Sequence, residues 1–206
     1  MKKDNYFDII KKDFIFLKSS AHSIFPGLIG NVICCIDEKK RFIGKHIGNV
    51  SLDNYTSMLE TIFNDSHYAI SLSDGSLICS CYSFDEACNL CSFSISFLPN
   101  TESDELFSNG SNFFHGEYYF RIDYEPNSYV ENTHPKIHLH QTMDRKCIRI
   151  PVARVILLSD FLYFVLKNIY GERELSTFKK EVAKKRKEMP SDIFLSDDEL
   201  SSFYII

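Results

Sequence analysis

Apolar residues recur at helical spacing over residues 4–20, where Phe7, Ile10, Phe14 and Leu17 share one face and Lys11, Lys12 and Lys18 lie on others. An amphipathic helix is predicted there. Pro26, Gly27 and Gly30 in "FPGLIGN" interrupt it, after which "NVICCID" reads as a strand with "KRFIGKHIGN" as its pairing partner. Ser51 is placed to cap a second helix carrying Leu52, Tyr55, Leu59, Ile62 and Phe63 at spacings of three and four. Beyond it the period drops to two. "HYAISLSDGSLICSCYSF" holds two alternating runs around Asp74-Gly75, a hairpin signal because glycine accepts the positive φ that tight turns need. "LCSFSISFLP" returns as a third strand. The polar "TESDELFSNGSN" reads as a loop, and "EYYFRIDY", "KIHLHQT" and "KCIRIPV" as three further strands. Helical pattern resumes in "SDFLYFVLKNIYG", with Ser159 as the expected cap and Gly171 as the stop. A charged helix, a break at Pro190 and a short acidic helix capped by Ser196 follow.

The fold class this predicts is α+β, an antiparallel meander flanked by N-terminal and C-terminal helices. We read residues 1–206 as a single domain, with the N-terminal helices in 1–66, the sheet core in 67–152 and a C-terminal helical part in 158–206. A hydrophobic fraction of 44%, with 18 Phe and 11 Tyr, supplies a sizeable core. No run reaches the roughly 18 apolar residues that span a bilayer. Lysines interleave with the apolar residues at the start, where a secretory signal would be continuously apolar. A cytoplasmic protein without membrane contact is expected, its seven cysteines reduced. The net charge of −5 excludes a global attraction to nucleic acid but leaves room for a local basic patch. There is no phosphate-binding glycine loop and no nucleophile elbow, which disfavours nucleotide hydrolysis and serine-hydrolase chemistry.

Candidate chemistry gathers in the last three strands. With side chains alternating, Phe120, Ile122 and Tyr124 share one face of the first and Tyr119, Arg121 and Asp123 the other. In "KIHLHQ" the apolar Ile137 and Leu139 leave His138 and His140 opposite, and in "KCIRIPV" Ile148, Ile150 and Val152 leave Cys147 and Arg149 opposite. If the strands are neighbours, Arg121, Asp123, His138, His140 and Arg149 meet on one polar face. Imidazoles exchange protons near neutral pH and guanidinium groups grip phosphate, so the set has the parts for metal-free cleavage of RNA. His134, Lys136 and Tyr119 are candidate binding residues beside it. His134 precedes Pro135 and also suits a turn. Two other readings stay open: an outward polar sheet face with no chemistry, and a zinc or manganese site built from Asp123 and the two histidines.

The order "SFSISFLP", "YFRIDYEP", "HPKIHLH", "RIPV" and "FVLKNIY" resembles the bacterial domain-of-unknown-function 2290 family. The resemblance covers about residues 67–171 and rests on Arg121, Asp123, His134, Pro135, His138, Arg149 and Pro151. It implies a prokaryotic protein from a mobile-element or anti-phage defence locus, and no established activity. "HPKIHLH" is also loosely similar to a His-rich segment of small toxins from toxin–antitoxin pairs. The expected function is an accessory protein that binds a protein or nucleoprotein partner, with RNA or DNA as a further candidate. The alternative is a metal-independent RNase-like effector using the His/Arg face, and neither role calls for a cofactor.

Cys79, Cys81, Cys88 and Cys91 form a C-x-C-x6-C-x2-C pattern that invites zinc. Cys79 and Cys81 nonetheless sit in an alternating strand, where cysteine behaves as a small hydrophobe. The basic run "KKEVAKKRK" at 179–187 is interrupted by Glu181 and reads as solvated helix surface. The apolar "FYII" is expected to dock.

Overall fold

The computed structural model describes residues 5–39, 41–47, 54–100, 119–130, 134–140, 150–152, 154–171, 175, 176, 178 and 180. Helix α1 spans Tyr6–Ile24, and the Asn5 side chain caps it by accepting the Asp8 N–H at 2.9 Å. Ile10, Phe14, Leu17 and Ala21, three or four residues apart, are fully buried. The helix runs four residues past the predicted end. Pro26 sets the limit, because the residue before a proline avoids helical geometry, and Phe25 accordingly has φ −127° and ψ 64°.

The strands are β1 (Ile29–Val32), β2 (Ile36–Asp37), β3 (Phe42–Gly44), β4 (Ile70–Leu72), β5 (Leu77–Phe84), β6 (Leu90–Leu98), β7 (Phe120–Tyr124), β8 (Ile137–His140) and β9 (Ile150–Pro151). Helices α2 (Tyr55–Asn64) and α3 (Leu158–Asn168) and a short 3-10 turn at Pro126–Ser128 are the other described elements. Every pairing is antiparallel, in the order β1-β4-β5-β6-β7-β8-β9, so the chain from β4 to β9 is the expected meander. β3 lies on the far half of β5 and pairs in turn with β2. The β4–β5 turn is closed by the Asp74 carboxylate, which accepts the Ser76 N–H at 2.8 Å and the Tyr170 hydroxyl at 2.7 Å.

Alternation sorts the sheet into two faces. Ile78, Tyr82, Phe93, Ile95, Phe97, Ile122 and Ile137 point into one core shared with α1 and α3. On the other face, Leu77, Cys79 and Leu98 form a second cluster with Tyr55, Leu59 and Ile62 of α2. Phe63, assigned to that helix's apolar set, is instead 49% exposed and stacks on Tyr68.

Ser159 does not cap α3. It lies inside the first turn, and its N–H donates to Asp13 of α1 at 3.0 Å. A buried carboxylate from another helix thus does the work expected of a local serine, aided by the partial positive charge at the helix start. Gly171, at φ +65°, follows α3 as expected of a stop. The predicted Ser51 cap, the loop at 101–112, the basic run at 179–187 apart from residue 180, and the Pro190 break lie outside the described residues.

Candidate functional site

The pairing register builds the site. β7 lies between β6 and β8, so Ser94, Asp123 and His138 form one row across the sheet and Ser96, Arg121 and His140 the next. All six occupy the face away from the main core, since their strand neighbours Ile95, Ile122 and Ile137 point into it. The expected convergence of Arg121, Asp123, His138 and His140 is therefore present. Arg149, the fifth member, lies outside the described residues.

Contacts run diagonally between the rows. Asp123 Oδ2 is 2.7 Å from Arg121 Nε and 3.2 Å from His140 Nε2, and Arg121 reaches the same imidazole nitrogen at 3.4 Å. His138 Nδ1 stands 2.9 Å from the Pro135 carbonyl oxygen, which can only accept. Nδ1 therefore carries the proton and Nε2 the lone pair. The three imidazoles touch in series, with ring centroids 4.6 Å apart for His134 and His138 and 4.7 Å for His138 and His140.

The polar face is not the wet surface that alternation suggests. Asp123, His138 and His140 are buried, and only Arg121 keeps substantial exposure, at 32% of its side chain. Burial works against the Asp123 charge, but hydrogen bonds from His140 and Ser94 and the charge of Arg121 outweigh it and hold the carboxyl below its usual value. Burial pushes the His138 imidazole down to about 4, and the Pro135 hydrogen bond offsets only part of this. His138 is thus neutral at physiological pH.

A pH dependence of stability follows. From the ordinary imidazole value of 6.5 down to about 4, the unfolded chain takes up a proton at this ring that the folded chain excludes. Stability contributed by His138 is full above that window and is lost as pH falls through it. Thermal melts at about pH 7 and about pH 5 should show a drop for the wild-type protein and a clearly smaller one for His138→Gln.

Of the candidate binding residues, Lys136 lies with its ammonium 4.9 Å from the Tyr129 ring centroid. His134 is held by an antiparallel bridge to Val130, with its Nε2 3.8 Å from a Glu125 oxygen. Tyr119, at 2% exposure, lies in the second apolar cluster with Tyr55 and Leu59, where α2 covers that end of the face, and Arg121 stands beside its hydroxyl. The sequence reading passed over Ser94 and the Pro135 carbonyl. The alternating serines of "SFSISF" were the available signal for the first, and the second carried none.

Chemically, the cluster is ill suited to metal-free transphosphorylation. That reaction needs a proton acceptor and a proton donor on opposite sides of one phosphate. Rings 4.7 Å apart are in contact and leave no room for a phosphate between them, and a neutral His138, its one proton held by Pro135, could serve only as the acceptor. Metal ligation is a better match to the donors. Among the described residues, Asp123, His138 and His140 bring ligand atoms within 4.8 Å of one another, as do Glu125, His134 and His138, whereas the four cysteines form no such group. Cys79 is buried and Cys91 exposed.

The family described as an uncharacterized conserved protein, DUF2290, matches residues 32–205. The chain belongs to the DUF2290 family. That match takes in β2 to β9, α2 and α3 and so contains every residue of the DUF2290 site described above, while α1 precedes it. Neither curated proteins nor solved structures provide a match. Among the described residues no helix is long and apolar enough to cross a membrane.

Proposed function

We propose that the protein serves a prokaryotic mobile-element or anti-phage defence system as an accessory component that holds a protein partner, with the β7–β8 connection as the contact. The supporting observation is a contrast in exposure along this one excursion. Val130 keeps 55% of its surface in water, while His138, eight residues on, keeps 1%. The described residues of the connection are tied to one another. Val130 and His134 exchange backbone hydrogen bonds of 3.0 and 2.8 Å, and a short 3-10 turn at Pro126–Ser128 leads into them. An exposed aliphatic residue beside a tyrosine and a lysine suits the centre of a modest interface. The closed His/Asp cluster beneath then positions the loop rather than turning over a substrate.

The test titrates the purified protein with the products of the genes flanking its own, by calorimetry. One of them should bind, and Val130→Asp and Lys136→Glu should each weaken that binding at least tenfold with the melting temperature unchanged. Absence of binding by any flanking product, or equal affinity in both variants, would overturn the reading. So would RNA cleavage by metal-free wild-type protein that is lost in His138→Gln, which would restore the effector alternative.

A further inference from the structure

We propose that Asp123, His138 and His140 form a binding site for one divalent transition-metal ion, with zinc the best match to the donors. The proposal is independent of the partner-binding role. Two imidazoles at i and i+2 on β8 and a carboxylate directly across on β7 make the three-ligand set that zinc takes with one further position open. Tetrahedral zinc holds neighbouring donor atoms about 3.4 Å apart. His140 Nε2 and Asp123 Oδ2 already stand at 3.2 Å, and the whole set lies within 4.8 Å. Side-chain rotation on two paired strands would close the remaining gap without moving the backbone.

The second observation lies outside the ligand set. A metal-bound histidine commonly donates its other ring N–H to a carbonyl or carboxylate, which fixes the ring and turns the remaining lone pair toward the ion. His138 has that arrangement, with Nδ1 on the Pro135 carbonyl at 2.9 Å. Pro135 is itself buried, so the acceptor is rigidly placed. The neighbouring trio of Glu125, His134 and His138 competes for the same imidazole but has an exposed carboxylate 3.8 Å from His134. The deeper trio is the better cage.

Arg121 gives the site a distinctive signature. Its guanidinium contacts the Asp123 oxygen at 2.7 Å and lies 3.4 Å from His140 Nε2, so it occupies the place of a cation between two of the ligands. An incoming ion would have to displace it, and its partly exposed side chain has a path to water. Removing that positive charge should therefore tighten metal binding, whereas loss of a surface arginine with no bearing on the site would leave affinity unchanged.

The experiment uses full-length protein stripped with a chelator and then titrated with Co(II), with Cd(II) for NMR of the bound ion. We expect one equivalent bound, visible cobalt bands without the near-ultraviolet charge transfer of thiolate ligands, and a cadmium resonance in the nitrogen–oxygen range. Binding should be lost in His140→Ala, persist in His134→Ala and tighten about tenfold in Arg121→Gln. Circular dichroism checks each variant's fold. Should His140→Ala not fold, the wild-type cadmium shift and the Arg121→Gln affinity decide. No stoichiometric uptake, a thiolate spectrum, retention in folded His140→Ala, or an Arg121→Gln affinity no higher than wild type would overturn the proposal.

Discussion

Asp123→Ala should destabilise the protein by about 3 kcal/mol, read as a lower urea midpoint with an unchanged denaturant slope. The carboxylate is buried and is shared by Arg121 and His140 at 2.7 and 3.2 Å. Its loss leaves a guanidinium and an imidazole in low dielectric without the acceptor around which both are arranged. Breaking a fully buried pair costs about 3–5 kcal/mol, and the figure here falls at the low end because Arg121 can turn toward solvent. Asp123→Asn keeps the shape and one acceptor oxygen, so a distinctly smaller loss is expected. Equal stability of the alanine variant and the wild-type protein would show that the cluster contributes nothing to the fold.

Gly44→Ala should be more damaging still, by about 4 kcal/mol or more, and should appear as poor soluble yield and a collapsed melting transition. A methyl group at Gly44 would overlap the Ser80 carbonyl oxygen and sit 2.8 Å from its carbon. Both are backbone atoms of β5, held in the ladder with β6, so neither can yield. The φ of +90° adds strain for any L side chain. Gly27→Ala supplies the control, because it has a similar φ of +83° but nothing within 4 Å. Its cost should stay near 1–2 kcal/mol. The difference between the two measures how tightly β3 approaches β5.

Alternation in "FRIDY" and "IHLH" was enough to place Arg121, Asp123, His138 and His140 on one face, because a two-residue period leaves no freedom once the apolar side is assigned to the core. It also located the turn at Asp74 and the run from β4 to β9. It did not reveal that the face is covered. Depth depends on how distant elements stack, and nothing within "EYYFRIDY" records that α2 and its apolar cluster pack over the Tyr119 end of that face. Tyr119 shows the limit: it is on the polar face by position and core by neighbourhood. The same limit explains Ser159. A serine before an apolar run is a local capping signal, but the acceptor that prevails is Asp13 on α1, whose buried place in the first helix reads from sequence as an ordinary polar gap.

That last contact bears on how the molecule is assembled during synthesis. The donor at Ser159 and the acceptor at Asp13 are separated by 146 positions, so the α3 amino terminus cannot be completed by anything made shortly before it. Helix α1 can lay part of its apolar stripe on β5 through Phe7–Phe84 and Phe14–Tyr82 once that strand is made, but the part that faces α3 must wait until the last strands and α3 have been translated. Closure entropy delays such remote contacts, and the interval is one in which a chaperone would find its substrate.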